Sequence, residues 1–247
     1  MAGTFTGMNL RTFPDYATLS AHAAQYIASL IRQKPNAVIC IASGSTPEGT
    51  FKLLAQQVRT GELDLSQCQF IGLDEWVGFT SEDVGGCAYF LYRDLFTPAH
   101  IRPEQITYFD ATAANLQAEC QRVDEVINRL GGLDLMLVGV GENGHIALNE
   151  PGTSWTLRSH VVDLAESTKT VGQKYFTKET PLSQGITLGL HYLTNAREAV
   201  LMASGTRKAA IMHTALNRPV TEQCPASIFQ TLPDAHVWLD EDATVNL

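Results

Sequence analysis

Four short apolar runs, each followed by a turn that holds Gly or Asp, most constrain what this chain can fold into. They are residues 37–42 (AVICIA), 69–73 (QFIGL), 133–139 (LDLMLVG) and 199–203 (AVLMA), with a fifth at 236–239. A strand that is apolar at consecutive positions buries both faces, which a parallel sheet covered by helices on both sides allows. Stripes of helical period fill the gaps: Leu19, Ala23, Ile27 and Ile31 within residues 16–33; then Phe51, Leu54, Ala55 and Val58. A third runs through Leu116, Cys120, Val123, Ile127 and Leu130, and a shorter one spans residues 209–216. Strand alternating with helix predicts a doubly wound, Rossmann-like α/β fold with a mostly parallel sheet and helices on both faces. Its 247 residues suit one domain over 1–247, and no linker, repeat or low-complexity tract divides them.

The formal net charge of −9 and the lack of a basic stripe argue against a nucleic-acid partner. No run of about 20 apolar residues is present to span a membrane, and no signal-peptide pattern opens the chain. Five scattered cysteines without a CxxC pair fit thiols in a reducing cytoplasm better than disulfides or a zinc site. A cytoplasmic location is expected, and a homo-oligomer is left open.

Ligands of doubly wound sheets bind beyond the C-terminal strand ends, so the loops there carry the functional reading. After the first run come Ser43, Gly44, Ser45, Thr46 and Pro47. Thr46 is expected to cap a helix whose first residue is Pro47. The small residues and free helix N–H groups would cradle a phosphate. The loop is neither GxGxxG nor GxxxxGK[ST], which disfavours a dinucleotide or ATP. After the second run, Asp74 and Glu75 put two carboxylates at a strand edge beside Trp76, where burial can raise one as a general base; an ordinary turn-forming Asp is the plainer alternative. After the third, residues 139–152 (GVGENGHIALNEPG) hold three glycines in six residues, then His145 and Glu150 five apart. A carboxylate can orient an imidazole that titrates near neutrality. Metal ligation by His145, Glu150 and Asp74 is the rival use, but no two-His spacing supports it. Ser204, Gly205, Thr206, Arg207 and Lys208 open the last long helix, where a cation opposes the helix dipole unless an anion sits between them.

Taken in order, the TP loop, LDEWVG, GVGENGHIALNEPG and SGTRKA resemble the glucosamine-6-phosphate deaminase family, over nearly the whole chain. The related 6-phosphogluconolactonases share the fold and a GxGxDGH loop. They typically have Arg after the Asp-Glu pair and lack the Asn-Glu-Pro that follows the His loop here. The resemblance implies that Asp74 moves a proton from C2 to C1 of the opened sugar. It implies that His145 assists ring opening, with Glu150 tuning it and Asn143 supporting the same step. Ser43, Gly44, Ser45, Thr46, Lys174 and Lys208 would hold the phosphate. The implied products are fructose 6-phosphate and ammonia, with neither metal nor organic cofactor.

Three positions depart from the family pattern. Asn143 stands where many members have Asp, Lys174 stands at the Arg of an S-R-F-F motif, and Gly86-Cys87 replaces a Ser-Tyr pair. The last two flank the sugar pocket in that alignment, and bear on substrate identity more than on reaction class. Galactosamine 6-phosphate and 6-phosphogluconolactone are therefore the alternative substrates, and a non-catalytic sugar-phosphate sensor is the alternative class. A lid is expected near residues 154–176. Hexameric, allosterically activated members run on past the position of Leu247, so neither property is expected.

Overall fold

The structure, a computed structural model, describes residues 7–245 and Leu247. The first half runs β1 (Asn9–Phe13), α1 (Tyr16–Gln33), β2 (Val38–Ile41), α2 (Ser45–Arg59), β3 (Gln69–Gly72), β4 (Asp74–Trp76), α3 (Cys87–Leu91), β5 (Ile106–Thr107) and α4 (Leu116–Leu130). It continues with β6 (Leu135–Val138), β7 (His160–Asp163), α5 (Glu166–Gly172), β8 (Gln184–Thr187), α6 (Leu190–Asn195), β9 (Glu198–Ala203), α7 (Thr206–Asn217) and β10 (His236–Asp240).

All five predicted strands form, as β2, β3, β6, β9 and β10. They are joined at the edges by β1 and β5 in a seven-stranded sheet of order β1-β10-β9-β6-β2-β3-β5, with every pairing parallel. Alternate residues of each strand serve opposite cores. Ile39 and Ile41 pack with Leu19, Ile27 and Phe51 of α1 and α2. Val38 and Cys40 pack with Val123 and Ile127 of α4 and Met212 of α7. This is why the strands read as unbroken apolar runs rather than alternating ones.

The helix ends follow local chemistry. The Asp15 side chain accepts the Thr18 N–H at 2.7 Å, and that of Asn115 accepts the Ala118 N–H at 3.0 Å, capping α1 and α4. Gly131, with φ of +85°, ends α4 in the left-handed region that glycine tolerates.

The expected Thr46 cap is corrected. Helix α2 starts one residue earlier, at Ser45, and its cap is Gly44, with φ of +97° and no side-chain cap bond. A positive φ turns the chain into the helix without a capping hydroxyl. Pro47 becomes the third helical residue, still within the first turn where an N–H has no partner to lose.

A second sheet was not anticipated. Strands β4, β8 and β7 pair antiparallel, with Asp74 opposite Thr187 and Thr187 opposite His160. It places Asp74 inside a strand rather than in a turn.

In the main sheet the chain winds outward in opposite directions from β2 and β6, which are neighbours. Their C-terminal ends therefore diverge into a crevice at the point where strand order reverses.

Candidate active site

That crevice is a pocket of about 1050 Å3, counting its open mouth. Its lining includes Ser43, Gly44, Ser45, Thr46, Asp74, Asn143, His145, Lys174 and Lys208. Nine of the ten residues singled out from the sequence thus meet at one cavity. The tenth, Glu150, stands behind His145, at 3.6 Å from its Oε2 to the imidazole Nδ1.

The loop after β6 is built around the histidine. Gly144 has φ of +90°, and a Cβ on Gly141 would lie 2.3 Å from the His145 ring. Both glycines are demanded by geometry, the first by backbone conformation and the second by the imidazole packed against it. Asn143 closes the arrangement: its Oδ1 accepts the His145 N–H at 3.1 Å and its Nδ2 donates to Glu150 Oε2 at 2.8 Å. The other carboxylate oxygen accepts the Ala165 N–H at 3.1 Å. Burial alone would raise the Glu150 carboxyl. Hydrogen bonds from His145, Thr168 and Asn143, with the adjacent imidazole charge, outweigh that and bring it down to about 2. Glu150 is thus a fixed anion behind the imidazole.

Asp74 and Glu75 are adjacent in β4 but differ in surroundings. Glu75 points away from the pocket and accepts the N–H groups of Trp76, Cys87 and Ala88 at 2.9, 2.8 and 2.8 Å. It therefore anchors the start of α3. Asp74 lines the cavity, as Cys87 does, and the Cys87 thiol favours its ionised form only weakly. Burial first, and the Glu75 charge second, push Asp74 up to about 7. Burial also pushes Glu75 up to about 7, opposed by its three backbone donors. Of the two raised carboxyls only Asp74 faces the cavity, so it is the one placed to exchange a proton with a bound molecule.

The cations gather beside the 43–46 loop. Lys208, in the first turn of α7, donates from Nζ to the Val140 carbonyl at 2.7 Å. The Asp240 carboxylate accepts the Gly205 N–H at 3.0 Å and the Ser204 hydroxyl, fixing the turn that presents Lys208. Burial, and then the Lys174 charge, lower the Lys208 ammonium. Burial likewise lowers Lys174. Two ammoniums lining one cavity with a helix N-terminus form a site for an anion.

The segment expected to form a lid borders the pocket over part of its length. Ser167, Thr168, Val171 and Gly172 of α5, and Lys174 and Tyr175 just after it, line the pocket, whereas residues 154–158 do not. Thr168 was missed from sequence, although its Oγ1 lies 3.2 Å from His145 Nδ1. A threonine 23 residues downstream in a polar helix carries no signal of such a contact. Cys87, noted as a departure from the family pattern, lines the cavity too.

Residues 15–238 match the family of glucosamine-6-phosphate isomerases and 6-phosphogluconolactonase. The match spans most of the chain, and the chain belongs to that family. Within the family it is similar to a glucosamine-6-phosphate deaminase of Bacillus velezensis, 38% identical over 96% of this chain and 98% of that protein. A glucosamine-6-phosphate deaminase of Lachnoclostridium phytofermentans is 39% identical over 90% of this chain and 95% of its own. Among solved structures, a monomeric glucosamine-6-phosphate deaminase of the NagB superfamily superposes with a TM-score of 0.94. It is 32% identical over 97% of this chain and 100% of that one. The 6-phosphogluconolactonase of Trypanosoma brucei, 20% identical with a TM-score of 0.74 over 97% of this chain and 98% of its own, shares the fold.

Proposed function

We propose that this protein catalyses the isomerising deamination of glucosamine 6-phosphate to fructose 6-phosphate and ammonia. The observation that carries the reading is Asp74: a carboxyl raised to about 7 by burial, in the same cavity as a carboxylate-backed imidazole and two ammoniums.

The phosphate sits at the 43–46 loop, against the free N–H groups of the α2 N-terminus, with Lys208 and Lys174 around it. His145 then reaches the ring oxygen and the C1 hydroxyl. It takes the proton from that hydroxyl and returns one to the ring oxygen as the C1–O5 bond breaks. Glu150 steadies the imidazole while it carries the extra proton. Ionised Asp74 next removes the C2 proton and delivers it to C1. A proton given up by the amine nitrogen reaches the C1 oxygen, so the aldehyde becomes a C1 alcohol and the amine an imine at C2. Water adds to C2 and ammonia leaves, giving the ketose. Ring opening, isomerisation and loss of ammonia each need proton transfers, which these residues can supply.

A substrate of this class implies a cytoplasmic enzyme with a small-molecule partner. The test is ammonia release coupled to ketose-phosphate detection, with glucosamine 6-phosphate and galactosamine 6-phosphate side by side. Turnover of the first is expected. Turnover of the galactose epimer alone would keep the mechanism and change the substrate. Silence from both, with acid released from 6-phosphogluconolactone, would overturn the deaminase.

A further inference from the structure

One pocket side chain has no part in the reaction just described. Tyr175 closes the short 3-10 turn Gln173–Tyr175 that follows α5, and it lines the cavity together with Gly44 and Ser45. Its ring is held from two sides. Phe90 packs edge-on, with centroids 5.5 Å apart, and Lys174 Nζ stands 4.8 Å from the ring centre. The hydroxyl lies over Gly44, where a Cβ would come within 3.1 Å of Tyr175 Oη.

That position matters because of what surrounds it. The α2 N-terminus beneath it offers N–H groups without helical partners. Lys174 and Lys208 contribute charge, but an ammonium is a point cation without the directed fork of a guanidinium. Lys208 also commits one N–H to Val140. A phenol held by its own ring adds a directed donor, and burial, the largest cause, pushes its proton loss up to about 12. The hydroxyl is therefore a donor at any pH where the enzyme works.

We propose that the Tyr175 hydroxyl is a further ligand of the substrate phosphate, donated from the lid side of the pocket opposite the α2 N-terminus. The inference rests on the sugar-phosphate reading and deepens it: the phosphate is gripped from two separate segments of the chain, one of them the lid.

Tyr175→Phe removes the hydroxyl and keeps the ring that packs on Phe90, so the melting temperature should not move. The probes are inorganic phosphate, measured by calorimetry, and glucosamine 6-phosphate turnover. Losing one hydrogen bond to a charged oxygen predicts about tenfold weaker phosphate binding and a KM about tenfold higher, with kcat unchanged. Phosphate affinity equal to that of the unaltered protein would overturn the proposal, as would a fall in kcat with KM unchanged. If the unaltered protein binds phosphate but releases no ammonia, weaker phosphate binding by Tyr175→Phe upholds the contact while the deaminase reading fails. If the unaltered protein binds no phosphate, the contact falls, while ammonia release alone decides the deaminase reading.

Discussion

Asn143 donates to Glu150 at 2.8 Å, and this one amide holds the two partners of the imidazole–carboxylate pair in register. Its carbonyl oxygen accepts the His145 backbone N–H while its Nδ2 donates to the carboxylate. Glu150→Gln keeps the shape and removes the anion. Because general acid–base help from a positioned side chain is worth about 100-fold or more, kcat should fall by that order with KM little changed. Asn143→Ala leaves the charge but frees the carboxylate, and should cost about tenfold in kcat. Steady-state kinetics on both variants check this, and an unchanged kcat in Glu150→Gln would remove the pair from the mechanism.

Asp74 sets the acid side of the pH profile. With its carboxyl raised to about 7, the ionised base is lost as pH falls through 7. The ratio kcat/KM should then drop about tenfold per unit below it. Asp74→Asn should abolish turnover and leave phosphate binding intact. A profile flat from pH 5 to pH 8 would contradict the assignment.

The same shift makes a stability prediction. The folded protein holds the Asp74 proton more tightly than the unfolded chain, whose carboxyl titrates near 3.8. Below that value the group has no effect on stability. Between about 4 and about 7 stability declines as pH rises, by up to roughly 1.4 kcal/mol per unit. Asp74→Asn lacks this loss, so it should melt higher than the unaltered protein at pH 8, with a smaller gain at pH 5. Thermal melts at the two pH values decide it.

Lys208→Met removes a buried ammonium from the phosphate end and keeps most of its packing. The loss of a charged hydrogen bond, at about 1.5–3 kcal/mol, predicts a KM raised by one to two orders of magnitude. Competition by inorganic phosphate should weaken in parallel. Titration with phosphate measures the effect without needing turnover.

Gly141→Ala tests whether the His145 ring must lie where it does. The added methyl would stand 2.3 Å from ring Cε1 and 2.4 Å from Nε2, so the imidazole has to move. A displacement of about 1 Å at a reacting group costs on the order of 100-fold in rate. The expected result is a large fall in kcat with phosphate affinity preserved.

The sequence by itself determined the main sheet, its order of strand and helix, and the loops that bear the chemistry. Burial on both faces leaves an apolar run that any reader of the chain can see, as in Val38–Ile41 and Leu135–Val138. Helix α1 is delimited as predicted, over Tyr16–Gln33, because its stripe and its capping Asp15 are local. The glycines around His145 were visible for the same reason. The tertiary structure decided what depends on partners remote in the chain. Strands β4 and β8 pair across more than 100 residues of chain, and runs of three and four residues are too short to carry a periodic signal. Asp74 is buried within β4, and burial is the largest cause of its raised carboxyl. The split between Asp74 and Glu75 came from α3, whose backbone N–H groups claimed Glu75. Thr168 and Tyr175 entered the pocket because the chain after β7 folds back over it. Proton affinity and contact are set by neighbours in space, and these were supplied by long-range packing.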